Sequence, residues 1–183
     1  DKGVFGGFGS PKTKNIPSHI LDSELLLSKT LMKSREDIIV NFDQKINENN
    51  ILKFKQFLRR RSQNEPVAYI LEEKEFWSKN FTVNKGTLIP RPETELLVDK
   101  LTKIFKNKKL RILDMGTGSG CIIISLLDNL EQSTGIGVDI SKEAIRTAKK
   151  NRLKFQMQNR LKLINKSFDC IFNEKFDLIV SNP

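Results

Sequence analysis

The sequence predicts an α/β protein in which a small helical N-terminal domain and a β-hairpin linker precede a doubly wound parallel sheet. Two observations lead to this fold class. Residues 18–62 contain two amphipathic helical patterns, whereas short apolar runs alternate with helical stretches from residue 110 onward. Because parallel strands are joined by helical crossovers, such alternation is typical of an open α/β sheet.

The N-terminal part of the chain divides into a lead-in and a helical domain. Residues 1–17 are rich in glycine, lysine and proline, which predicts a mobile lead-in. Helices are predicted over residues 18–32 and 48–62, because apolar residues recur near helical spacing in both segments. The run Arg59-Arg-Arg61 closes the second helix, where positive charge suits the helix dipole; contact with phosphate or an acidic partner is the alternative role. We place this helical domain at residues 18–74.

A β-hairpin and linker are predicted over residues 75–92, ahead of a third domain at residues 93–183. The hairpin strands are Glu75-Phe-Trp77 and Phe81-Thr-Val83, joined by a polar turn at 78–80. The third domain opens with a helix over 93–105, after a rigid approach through two prolines. Its later elements are predicted as strands 110–114, 135–139, 161–166 and 176–181, with helices 119–130 and 141–152 following the first two strands.

A glycine-rich turn joins the first predicted strand of the sheet to the helix that follows. The segment Asp114-Met-Gly-Thr-Gly-Ser-Gly120 lies between the apolar runs Leu110-Arg-Ile-Leu113 and Cys121-Ile-Ile-Ile-Ser-Leu-Leu127. Glycine permits tight turning and close approach of the backbone to a ligand, while the amides that open a helix carry a partial positive charge. The turn therefore predicts a nucleoside-bearing cofactor, and a turn without any ligand is the alternative.

A carboxylate ends the next predicted strand, Gly135-Ile-Gly-Val-Asp139, and lies 139 − 118 = 21 positions after the middle glycine of the turn. An acidic residue about 20 positions on is placed to accept hydrogen bonds from ribose hydroxyls. Alternatively, Asp139 caps the helix that begins near Ser141. The glycines alternate at 116, 118 and 120, so they do not match the G-x-G-x-x-G fingerprint of dinucleotides. The segment instead resembles the first motif of class I methyltransferases, which use S-adenosylmethionine.

Two further segments narrow this resemblance. From the residues alone, Leu88-Ile-Pro-Arg-Pro-Glu-Thr-Glu-Leu-Leu-Val98 is a capped helix after a rigid approach, and Asn182-Pro183 is a turn after the apolar strand Leu178-Ile-Val180. Together they resemble the protein-glutamine N5-methyltransferases that modify peptide chain release factors. At the position of Asn182-Pro183, amino-methyltransferases carry Asn-Pro-Pro-Tyr or a near variant. The resemblance extends from about Leu21 to Pro183.

The resemblance implies a Rossmann-like methyltransferase domain that transfers a methyl group from S-adenosyl-L-methionine to the glutamine amide of the Gly-Gly-Gln loop of release factors. It makes Asn182 and Pro183 catalytic and substrate-binding acceptors for the target NH₂ group, and Arg91 a further substrate contact. The helical domain would dock the release factor. Ser167 stands where such enzymes often have an acidic residue. The implied cofactor-binding residues are Gly116, Thr117, Gly118, Ser119, Gly120, Asp139, Phe168 (beside the adenine) and Asn182.

Other functions stay open at this point. An N-methyltransferase acting on an exocyclic amino group of RNA or DNA is one alternative, since the net charge of +10 suits a polyanion. The segment Ile89-Pro-Arg-Pro-Glu-Thr-Glu95 argues against this nucleic-acid alternative, because it resembles the glutamine methyltransferases. A ribosomal-protein glutamine methyltransferase is a nearer relative to exclude, and a non-catalytic fragment is a third alternative. Because only two residues of Asn-Pro-Pro-Tyr are present, we expect the 183-residue chain to be truncated within the motif and inactive alone.

Composition restricts the chemistry and the setting. One histidine, His19, and two cysteines, Cys121 and Cys170, give little support for a zinc hydrolase or a histidine-based triad, so no metal is predicted. No apolar stretch approaches the ~20 residues that span a bilayer, and no secretory signal is evident. We expect a cytoplasmic monomer without a membrane partner, and direct nucleic-acid binding is not favoured.

Overall fold

The computed structural model describes residues 18–41, 45–167, 169 and 174–182, and the chain divides into two compact units, residues 1–71 and 72–183. The predicted lead-in at residues 1–17 lies outside the described residues. The hairpin belongs to the second unit, so the division falls three residues before the expected one at 74. Across the described ranges, no helix combines the length and the hydrophobicity needed to cross a bilayer.

The described part of the first unit consists of helices only. Both predicted helices are confirmed, and a short third helix that the sequence did not predict lies between them. Ser34 and Asp37 form a capping box at its start, but its apolar residues, Ile38-Ile-Val40, are consecutive and show no helical spacing. The helices are α1 (His19–Leu31), α2 (Arg35–Val40), α3 (Glu48–Ser62) and α4 (Val67–Leu71).

A small apolar core and several ion pairs, two of them made by α3, hold the described part of this helical unit together. The buried side chains are Leu26, Leu27, Phe54 and Ile70. Arg61 Nε lies 2.7 Å from Asp22 Oδ2, and both side chains are largely buried. Arg60 contacts both carboxylate oxygens of Glu65 at 2.8 Å. Two of the three arginines that end α3 therefore bind carboxylates of their own unit.

The described part of the second unit contains a hairpin, three α-helices and a parallel sheet. The hairpin is confirmed, but its predicted turn is wrong: the turn residues are Trp77 and Ser78, both with positive φ (52° and 54°). Type I′ turns require positive φ at both central residues, and glycine usually marks them in a sequence. The pair Trp77-Ser78 contains no glycine, so the sequence did not indicate the turn. The elements are β1 (Glu73–Phe76), β2 (Lys79–Thr82), α5 (Pro92–Ile104), β3 (Arg111–Met115), α6 (Cys121–Asn129), β4 (Thr134–Asp139), α7 (Lys142–Lys154), β5 (Leu161–Asn165) and β6 (Leu178–Ser181).

The predicted parallel sheet is confirmed, with strand order β5-β4-β3-β6. Adjacent residues of β3, Ile112 and Leu113, belong to different buried clusters, which means that both faces of the sheet are covered. Helix α6 is buried along almost its whole length. The strand order reverses beside β3, because β4 lies on one side of it and the last strand on the other. Open α/β sheets bind ligands at such a reversal, at the carboxyl ends of the strands.

One buried side chain joins the hairpin to the glycine turn. Asn151 of α7 is fully buried; its Oδ1 accepts from the Thr82 amide at 2.8 Å, and its Nδ2 donates to the carbonyls of Thr82 and Ser119 at 2.9 and 2.8 Å. The side chain thereby pairs the amide and carbonyl of Thr82, the last residue of β2, and the carbonyl of Ser119 in the glycine turn. Such a network stabilises the fold only while every member is paired.

We expect Asn151→Ala to lower the free energy of unfolding by about 2–4 kcal/mol, because it leaves these backbone groups unpaired. Urea denaturation measures the change. Asn129→Ala is the matched control: this side chain donates to a carbonyl within α6 and is exposed, so its loss should cost under about 0.5 kcal/mol. Equal effects of the two substitutions would contradict the role assigned to Asn151.

Candidate active site

The glycine turn after β3 adopts a backbone that its glycines permit. Gly116, Gly118 and Gly120 have φ of 71°, 55° and 80°, all in the left-handed region. The amides of Gly116 and Thr117 both donate to the carbonyl of Val138 at 2.9 Å, which ties the turn to β4. A Cβ placed on Gly116 would meet no atom within 4 Å, so the turn is open to a ligand at this residue.

The carboxylate of Asp139 holds two backbone segments at once. Its Oδ2 accepts from the amide of Gly118 at 2.9 Å, and its Oδ1 accepts from the amide of Ser141 at 2.8 Å. The cap of α7 is Ser141 itself, whose hydroxyl accepts from the Ala144 amide. The capping alternative for Asp139 is thus replaced by a bridge between the glycine turn and the start of α7. Each carboxylate oxygen keeps a further lone pair for a ligand.

A second carboxylate, Asp114, is buried beneath the turn. Thr117 Oγ1 donates to its Oδ2 at 2.7 Å, while its Oδ1 has no hydrogen-bond partner among the described residues. Burial raises the pKa of Asp114 from its ordinary value near 3.8 to about 6; the hydrogen bond from Thr117 opposes this shift, and the charge of Asp139 adds to it. A buried carboxylate with an unpaired oxygen calls for a donor, which a ligand can supply.

A cavity of about 320 Å³ opens at the carboxyl ends of the strands. It brings together Gly116 and Asp139, both predicted, with five residues that sequence reasoning missed, among them Ile140, Lys166 and Ser181. Ile140 is 77% exposed, which is unusual for isoleucine, and its place directly after the acidic strand end was the only signal in the sequence. Lys166 directly follows β5 and Ser181 ends β6, and neither had any further signal in the sequence. The lining residues are Met115, Gly116, Val138, Asp139, Ile140, Lys166 and Ser181.

Asn182 follows β6 at the same edge of the sheet. The preceding residue, Ser181, donates its hydroxyl to the carbonyl of Met115 at 2.9 Å, which holds the end of β6 against the glycine turn. Asn182 Nδ2 donates to Thr94 Oγ1 at 3.0 Å. The partner lies in the first turn of α5, within the Ile-Pro-Arg-Pro-Glu-Thr-Glu segment. Two sequence motifs that lie 88 positions apart therefore meet through one hydrogen bond.

The other predicted site residues occupy different places. The side chains of Thr117 and Ser119 are buried, so only their backbones can face a ligand. Arg91 lines a separate cavity of about 270 Å³ together with hairpin residues such as Lys74 and Ser78. Phe168 and Pro183 lie outside the described residues. Burial raises the pKa of the Cys121 thiol to about 12, which leaves it an inert core group; Cys170 also lies outside the described residues.

We expect Asp114→Asn to stabilise the protein increasingly as the pH rises. Between about pH 4 and pH 6 the native state holds a proton on Asp114 that the unfolded chain has released, so wild-type stability falls through this window. The variant lacks this penalty, and its advantage should grow by on the order of 2–3 kcal/mol from pH 4 to pH 7. Urea denaturation along this pH series measures it, with Asp99→Asn at the surface as control. An advantage that does not change with pH would contradict the assignment.

Comparison with known proteins places both units in established families. Residues 12–71 match the family model described as the PrmC N-terminal domain, and residues 106–183 match one described as a methyltransferase domain. The SAM-dependent methyltransferase of Agrobacterium tumefaciens superimposes with a TM-score of 0.52 at 17% identity, covering 61% of this chain and 39% of that one. This likeness shows the Rossmann-like methyltransferase fold.

Curated relatives match both units together. The release factor glutamine methyltransferase of Buchnera aphidicola subsp. Schizaphis graminum is 45% identical over 163 residues, which cover 88% of this chain and 58% of that protein. The enzyme of that name from Haemophilus influenzae is 42% identical over 177 residues, or 89% and 60%. A bifunctional methyltransferase of Rickettsia felis is 38% identical over 197 residues, or 92% and 37%. The chain thus spans 37–60% of the length of these relatives, and it belongs to the release factor glutamine methyltransferase family.

Proposed function

We propose that the protein transfers the methyl group of S-adenosyl-L-methionine to the side-chain amide nitrogen of a glutamine, that of the Gly-Gly-Gln loop of peptide chain release factors. The observation that carries this proposal is the convergence of three strand ends. The open glycine turn follows β3, the Asp139 carboxylate ends β4, and Asn182 follows β6. A cofactor cradle and an amide-recognising residue are thereby neighbours at one edge of the sheet.

The residues around the cavity fit this cofactor. Gly116 leaves room for close approach of a ligand, and the unpaired Oδ1 of Asp114 fits the amino end of an amino acid. Asp139 has lone pairs left for ribose hydroxyls, while Ile140 offers an exposed apolar surface to a nucleobase. Phe168 would add to this surface. When bound, the cofactor supplies an electrophilic methyl group on a sulfonium sulfur.

The chain's own residues then prepare the target amide. An amide nitrogen is a poor nucleophile, because its lone pair is shared with the adjoining carbonyl group. Asn182 Oδ1 accepts one hydrogen of the target NH₂ group, and the carbonyl of Pro183 accepts the other. These bonds orient the nitrogen and increase its electron density, so proximity and electrostatic assistance replace a strong general base.

Recognition of the release factor is assigned to the helical unit, with Arg91 as a second substrate contact. The proposal draws on the match of residues 12–71 to the PrmC N-terminal domain and on the names of the relatives. Arg91 is exposed and lines the cavity beside the hairpin, where it is accessible to a partner. We place the protein in the cytoplasm, because its proposed substrate works on ribosomes, and we propose that it is a monomer.

We expect Asp139→Ala to weaken cofactor binding by about 1–3 kcal/mol, through loss of charge-assisted hydrogen bonds to the ribose. Isothermal titration calorimetry on the full-length protein measures the affinity. Asp99→Ala is the control, because its carboxylate pairs with Lys103 and lines no part of the cavity. Equal affinities of the Asp139 variant and the wild type would reject the ribose assignment.

We expect the full-length protein to transfer a labelled methyl group to release factor and not to bulk RNA. A release factor with alanine in place of the Gly-Gly-Gln glutamine should accept no label, because the target nitrogen is gone. Enzyme carrying Asn182→Ala should label the intact factor at least 100-fold more slowly. Label found only in RNA would reject the glutamine assignment in favour of a nucleic-acid amino-methyltransferase.

A further inference from the structure

The side-chain amide of Asn182 can face a substrate with either of its ends, and only one end is useful. The carbonyl oxygen accepts hydrogen bonds, whereas the NH₂ group only donates them. A target NH₂ group needs an acceptor. We infer that Thr94 is a positioning residue for this side chain: its hydroxyl accepts from the NH₂ end of Asn182, and the amide anchored in this way presents Oδ1 to the target. The inference rests on the proposed function, which it deepens.

The contact itself is specific and well placed. Asn182 Nδ2 lies 3.0 Å from Thr94 Oγ1, while Asn182 Oδ1 has no hydrogen bond to any residue in the described ranges. Thr94 is only 9% exposed, so water competes weakly for its hydroxyl group. The donor end of the amide is therefore engaged by the protein, and the acceptor end is free for a ligand.

The backbone around Thr94 is held on both sides. Its amide donates to the carbonyl of Arg91 at 3.0 Å, and Pro92 occupies the first position of α5 with a fixed φ. The next residue, Glu95, accepts a hydrogen bond from the Trp77 amide of the hairpin turn at 2.9 Å. A β-branched side chain on this rigid turn has few rotamers. The hydroxyl of Thr94 is thus a fixed reference point rather than a mobile one.

Loss of the hydroxyl would remove the anchor that holds the Asn182 amide in its observed orientation. With an apolar group in its place, the NH₂ end of Asn182 has no partner in α5 and turns toward the open edge of the sheet. There it would meet the NH₂ group of the target, and two donors cannot bind each other. Fewer enzyme molecules would hold the glutamine in the reactive geometry, although cofactor binding would be unaffected.

The test compares Thr94→Val, which keeps the shape but not the hydroxyl, with Thr94→Ser, which keeps the hydroxyl, in the full-length protein. We expect the valine variant to lower kcat about 10–100-fold while the KM values for cofactor and release factor change less than twofold. The serine variant should recover at least half of the wild-type kcat. Thr102→Val, the same change elsewhere on α5, should leave kcat unchanged, because within the described ranges its hydroxyl donates to the Asp99 carbonyl alone.

A double-mutant cycle decides whether Thr94 acts through Asn182. Adding Thr94→Val to Asn182→Ala should slow transfer no further, because no amide is left to orient. Wild-type kcat in the valine variant, equal losses for valine and serine, or additive losses in the cycle would each overturn the inference. If the valine variant fails to fold by circular dichroism, Thr94→Ala takes its place. If the wild-type protein labels RNA alone, the proposed function fails. The kcat ratios of the Thr94 and Asn182 variants to the wild type are then measured with RNA as the methyl acceptor.

Discussion

The site depends on the attachment of the glycine turn to the end of β4. Three successive amides, those of Gly116, Thr117 and Gly118, all donate to this strand end, two to the Val138 carbonyl and one to the Asp139 carboxylate. Backbone donors that would otherwise point at water are thereby paired, and a turn rich in glycine, which is entropically costly to order, adopts one conformation. Asp139 also binds the amide at the start of α7, so one carboxylate sets the spacing of both loops around the cavity.

Polar contacts of the same kind bring distant segments to this edge. Asn151 joins β2 to the carbonyl of Ser119, Glu95 joins α5 to the hairpin turn, and Thr94 joins α5 to Asn182. In each case a polar side chain makes a hydrogen bond between segments that are distant in the sequence. Bonds of this type contribute modestly to stability when made, but they cost more when one partner is removed. They therefore specify position, while the apolar core around α6 supplies most of the stability.

Local pattern predicted most of the fold, because apolar periodicity and glycine placement are properties of neighbouring residues. α3 was predicted with its observed limits, since Phe54 and its neighbours recur at helical spacing. The hairpin turn was misplaced because positive φ at Trp77 is stabilised from outside, through Glu95, and leaves no local signal. The contact between Thr94 and Asn182 spans 88 positions, so only folding reveals it. The proposed roles of Phe168 and Pro183 stay predictions.

The features that suit this edge to ligand binding are also those that weaken the fold. Three glycines lie in the left-handed region, and a carboxylate is buried with one oxygen unpaired, which the raised pKa of Asp114 reflects. A sequence optimised for stability alone would use a turn with fewer left-handed glycines and an apolar group in place of Asp114. Their presence at the carboxyl edge of an otherwise well-packed sheet is therefore explained by binding rather than by folding. A ligand that fills the turn and donates to Asp114 would offset both costs, and so couple its own binding to the stability of the whole unit.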